Sequence, residues 1–105
     1  MTKVIIGTQL KLLVNIEPVY GVTMKDMEFS IEIFNGTKTL TFQKADCKPE
    51  RNGEDGYRVP FDTAQLGLGR VKVRVTAILE DSDFIGGTRK EITELNTGID
   101  VVRGF

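Results

Sequence analysis

Histidine and tryptophan are both absent from the 105 residues, and cysteine occurs once, at Cys47. Without histidine there is no Ser-His-Asp or Cys-His catalysis, no imidazole metal ligand and no ready pH switch. A lone cysteine permits no intrachain disulfide and no cysteine zinc cluster. With no histidine base to activate it, Cys47 reads as structural, and the composition suits a reducing cytoplasm. No apolar run approaches the roughly 20 residues of a membrane span, and Val4-Ile5-Ile6 is too short for the core of a signal peptide. Charge of one sign is missing too: 14 basic residues meet 15 acidic ones, for a net charge of -1. That is not the basic footprint of a nucleic-acid binder. Neither nucleic acid nor membrane is an expected partner, and no catalytic residue, metal or cofactor is expected.

What the chain has is alternation. Leu10, Leu12, Val14 and Ile16 alternate with Lys11, Leu13 and Asn15. Met27, Phe29, Ile31 and Ile33 alternate with Glu28, Ser30 and Glu32, and Leu40 and Phe42 sit among Thr39, Thr41 and Gln43. Tyr57, Val59 and Phe61 follow, then the longest run, Val71, Val73, Val75, Ala77 and Leu79. A period of two is that of a strand with one face to the core and one to water. Asn35-Gly36 suits a tight hairpin because both residues tolerate positive φ. Pro49–Gly56 reads as a loop, Gly86-Gly87 as another, and Asn96-Thr97-Gly98 as the last turn, between strands at Ile92–Leu95 and Ile99–Val102. About seven short strands in a chain of this length predict an antiparallel, immunoglobulin-like β-sandwich over residues 9–105. Residues 1–8 read as an N-terminal arm outside it.

One segment breaks the alternation. Asp62 or Thr63 can cap a single helical turn near residues 62–67, Leu66 points back as a plug between the sheets, and Gly67 and Gly69 let the chain reverse. Read as a phosphate loop, the same glycines lack a following helix and a lysine.

The acidic cluster Glu80-Asp81-Ser82-Asp83 has two aspartates at calcium-loop spacing but lacks the further ligands in register, so it reads as a solvated turn. Lys72, Arg74 and Thr76, beside Arg89, Lys90, Glu91 and Glu94, read as cross-strand charge pairing on a wet sheet face. The candidate sites are apolar groups expected to face outward. Leu13, Phe34 and Ile78 fall on the outward parity of their strands. Phe84 and Ile85 sit in a polar loop. Val4, Ile5 and Ile6 belong to the arm, which could add a strand to a neighbour's sheet edge, and Phe105 is terminal. Exposed large apolar groups that cluster mark contact surfaces.

Asp26-x-x-Phe29, Phe61-Asp62-Thr63 with Leu66-Gly67-x-Gly69, Asp81-x-Asp83-Phe84, Arg89-Lys90-Glu91 and Thr97-Gly98-Ile99 carry a resemblance through their order and spacing. They resemble a group of small proteins encoded in phages, prophages and mobile elements of gut bacteria. The core around residues 61–69 is similar to the immunoglobulin-like N-terminal domain of phage baseplate upper proteins. The resemblance spans roughly residues 22–103. It implies a non-enzymatic virion structural protein of the tail, baseplate, neck or head decoration. Such a protein assembles with itself or with other virion proteins in the host bacterial cytoplasm. The alternatives are a free-standing adhesive or ligand-binding module, or a small regulator encoded by a mobile element. The adhesive reading is short of aromatics for sugar stacking, with only Tyr20 and Tyr57 as tyrosines.

Overall fold

The computed structural model of the chain describes residues 2–16, 24–36, 38–51 and 56–104. In order these residues form β1 (Thr2–Ile5), β2 (Gln9–Val14), β3 (Glu28–Phe34), β4 (Thr39–Gln43), β5 (Lys48–Pro49), β6 (Tyr57–Asp62), α1 (Thr63–Leu66), β7 (Gly69–Glu80) and β8 (Thr88–Val102). The strands make two sheets, in the orders β1-β8-β7-β3-β4 and β2-β6-β5. The fold is an all-β sandwich.

Alternation builds the core. From the larger sheet, Phe29, Ile31 and Ile33 of β3 and Val71, Val73, Val75, Ala77 and Leu79 of β7 are buried. Tyr57, Val59 and Phe61 of β6 meet them from the smaller sheet. The rings of Phe29 and Tyr57 pack edge to face across the two layers at 4.9 Å. Pro60 stands in the middle strand of its sheet and costs no ladder bond there. Its partner β5 pairs only with Tyr57 and Arg58, so the missing N–H has no strand to donate to.

Four expectations need correction. The first concerns the N-terminal segment, which is no arm. Thr2–Ile5 pair in parallel with Ile99–Val102 at the edge of the chain's own larger sheet, so the sandwich is not wholly antiparallel. Second, Pro49 of the expected loop pairs with Tyr57, as Lys48 does with Arg58, to make β5, so the described residues form eight strands, while residues 52–55 lie outside them. Third, Asn96-Thr97-Gly98 does not separate two strands. Val71 faces Ile99 and the next residue, Lys72, faces Asn96, so Thr97 and Gly98 bulge out of one continuous β8. The Thr97 hydroxyl donates to the Val71 carbonyl at 2.8 Å and accepts from the Ile99 N–H at 3.1 Å, which repairs the ladder locally.

Fourth, neither Asn35 nor Gly36 adopts positive φ. Asn35 is present for its side chain, which is buried and reaches across the sandwich. Its amide donates to the Leu66 and Leu68 carbonyls, both at 3.0 Å, and its oxygen accepts from the Lys38 N–H at 3.1 Å. The β3–β4 turn is thereby tied to the crossover between the sheets.

That crossover follows the sequence expectation. Asp62 caps α1 by accepting from the Ala64 N–H at 2.8 Å, and the buried Leu66 fills the space between the layers. Thr63, also fully buried, donates through its hydroxyl to the Thr8 carbonyl at 2.8 Å and accepts from the Gly7 N–H at 3.0 Å. This pins the β1–β2 turn and so holds β1 on its edge.

Gly56 enters β6 with φ of +99°, and a Cβ there would overlap the Val14 carbonyl of β2. Gly56→Ala is expected to lower stability by about 2 kcal/mol, from backbone strain plus a steric contact with main chain. Chemical denaturation read by circular dichroism checks this.

Candidate interaction surface

The seven residues between β7 and β8 form a built turn. The Asp81 N–H donates to the Gly87 carbonyl at 2.9 Å and the Gly87 N–H to the Phe84 carbonyl at 3.0 Å. Asp81 Oδ1 accepts from the Asp83 N–H at 3.0 Å, while Oδ2 pairs with Arg89 at 3.4 Å. Arg89 also pairs with Glu91 at 2.9 Å. The carboxylate of Asp81 is thus spent on its own turn and on the neighbouring strand. Gly86 and Gly87 both take positive φ, which lets the turn close. The consequence is a fixed tip that holds Phe84 at 53% exposure and Ile85 fully in solvent.

Ile5 and Ile6 lie at the other end of β8, where the Ile6 N–H donates to the Val102 carbonyl at 2.8 Å. Both are exposed, whereas Val4 turns inward and packs against the core. Leu13 is exposed on the outer face of the smaller sheet, with Arg58 as its cross-strand neighbour. Phe34 lies on the outer face of the larger sheet, where the Arg74 guanidinium covers its ring at 4.9 Å. Ile78 is on that same face between Glu28 and Lys90. Phe105 lies outside the described residues, as does Tyr20. The candidates therefore do not converge on one patch. They divide between the two ends of β8, the outer face of the larger sheet, and Leu13 on the opposite layer.

Two residues on β8 belong with them and escaped the sequence reading. Ile92 is 61% exposed on the outer face and Leu95 41% exposed on the inner one. Splitting β8 at Asn96 hid both. Had residues 88–102 been read as one strand paired with β7, Ile92 would have fallen opposite the outward Thr76.

The charges on the outer face pair across strands. Arg74 stands between Glu32 of β3 and Glu94 of β8, at 3.7 Å from each. An open groove of about 1030 Å³ lies between this turn and the segment before β3, lined by Lys25, Asp26, Glu28, Lys44, Asp83 and Arg89 among others. Lys44 is engaged there, donating to the Lys25 and Met27 carbonyls at 2.8 Å. Cys47 is buried, and burial with Asp46 nearby pushes its thiol above the usual range. Its Sγ donates to the Gln43 carbonyl at 3.4 Å. It is a poor nucleophile in that setting. No helix among the described residues is long and apolar enough to cross a membrane.

No protein family, curated protein or solved structure matches the chain.

Proposed function

We propose that this chain is a non-enzymatic structural protein of a phage particle, in the tail, baseplate, neck or head decoration, and that it works by protein–protein assembly. The observation that carries this reading is the turn at residues 81–87. It is closed by main-chain bonds and by the Asp81 carboxylate, and it presents Phe84 and Ile85 to solvent. A soluble domain has no folding reason to hold two large apolar groups on a rigid tip, whereas a contact surface does. The lack of histidine supports the absence of catalysis.

The sandwich is of immunoglobulin type in this reading. β2, β6 and β5 take the B, E and D places, and β8, β7, β3 and β4 the G, F, C and C′ places, an assignment supported by the strand order of both sheets. The phage resemblance carried by residues 61–69 and the phrases around them points the same way. Other virion proteins and further copies of the chain are the partners, assembled in the cytoplasm of the host bacterium.

Phe84→Asp is the test. The side chain is exposed, so the fold and its thermal unfolding should change little, while incorporation into particles should fall at least tenfold, as expected for a lost apolar anchor. Normal incorporation of a folded Phe84→Asp chain contradicts the assigned contact.

A further inference from the structure

The larger sheet ends on β1, but β1 covers only the final residues of β8, Ile99–Val102, and leaves the rest of β8 as an edge. Among the described residues, nothing pairs with Thr88–Asn96 on the side away from β7. A strand edge of this length is a template for another strand. The residues along it are Thr88, Arg89, Lys90, Glu91, Ile92, Thr93, Glu94, Leu95 and Asn96.

We propose that two copies of this chain pair through this edge, antiparallel, about a two-fold axis at Ile92. The sequence of the edge is complementary to itself in that register. On the outer face Ile92 meets Ile92 of the second copy, Lys90 meets its Glu94, and Glu94 meets its Lys90. These three alternate residues share one face of β8, opposite Ile78, Thr76 and Arg74 of β7. The axis buries the most exposed apolar side chain of the strand, Ile92. A lysine on a sheet edge ordinarily opposes self-pairing. Here it selects a register, because slipping by two residues places like charges together or strands Ile92 against a charge. The contact is isologous, so the Lys90–Glu94 pair occurs twice and the Ile92 pair once, on the axis.

The other free edge of the same sheet, β4, offers only Thr39–Gln43 and carries no charge pattern. The ends of the β8 seam also fit. Beyond Thr88 of one copy, residues 99–102 of the other continue with β1 beside them. Thr2, opposite Ile99, is the end of β1 that lies toward the Phe84–Ile85 turn of the mate, with Ile5 further along beside Val102. The inference rests on the reading of this protein as an assembly component and names its first partner, a second copy of itself.

Sedimentation of the purified full chain over a dilution series tests it. The wild-type chain should sediment as a monomer–dimer equilibrium. Lys90→Glu puts two carboxylates together at both ends of the seam and should weaken the dimer about tenfold or more. The double reversal Lys90→Glu with Glu94→Lys should restore it, provided circular dichroism shows each variant folded. Lys90→Glu alone is the cleaner single variant, since Glu94 also faces Arg74 within the chain. A wild-type chain that stays monomeric throughout overturns the inference. So does a Lys90→Glu dimer of wild-type strength, or a double reversal no stronger than Lys90→Glu alone. The reading as a virion component fails separately: a chain that dimerises as described yet is missing from particles contradicts that reading and leaves the β8 contact standing.

Discussion

Leu66→Ala is expected to lower the free energy of unfolding by about 3–5 kcal/mol, the range for a fully buried leucine whose site cannot collapse. Leu66 ends α1 and lies between the layers with no exposure. Its neighbours are strands of two different sheets, each fixed by its own ladder, so they cannot close over the space together. The loss is a large fraction of the roughly 5–15 kcal/mol that holds a small domain folded. Urea denaturation followed by circular dichroism measures it. A loss below about 1 kcal/mol would mean that the plug is not packed as described.

The second large effect is expected at Asn35. Its amide and oxygen satisfy the carbonyls of Leu66 and Leu68 and the N–H of Lys38. Asn35→Ala leaves all three main-chain groups to find partners in a place where Asn35 itself is only 7% exposed. A buried polar group left unpaired costs about 1–3 kcal/mol, so the sum is expected near 3 kcal/mol once partial access of water is allowed for. Asn35→Asp separates this from packing. It keeps the acceptor to Lys38 and loses both donors, so it should recover only part of the loss in the same denaturation experiment. Full recovery would contradict the role given to the amide.

These two residues mark the boundary of what the sequence discloses. Leu66 was legible, because a break in alternation flanked by Asp62 and by Gly67 and Gly69 has few structural meanings. Asn35 was legible only as a turn residue. Its bonds to Leu66 and Leu68 depend on how two distant segments are brought together, which no local pattern encodes. The same holds for β1. Val4-Ile5-Ile6 has no alternation, and its pairing with Ile99–Val102 joins the two ends of the chain. Asn96-Thr97-Gly98 shows a different limit. An asparagine and glycine that can take unusual φ serve a turn or a bulge equally well, and only the register with Val71 and Lys72 decides between them. Treating it as a turn concealed the length of β8 and with it Ile92. Of the candidate contact residues, Phe84 and Ile85 were legible because two large apolar groups beside two glycines in a polar loop have no core to enter. The outward parity of Phe34 is readable from its strand, whereas the cover over its ring comes from Arg74 on the neighbouring strand.

The built turn at one end of β8 and the apolar residues of β1 at the other frame the same strand edge. The proposed role as a virion component requires the chain to be present in particles. Quantitative mass spectrometry of particles purified from the host that encodes the chain tests this most directly. The account predicts the chain among the virion proteins, at a fixed ratio to a protein of known copy number. Its absence from every particle, in cells that do produce it, would contradict the account.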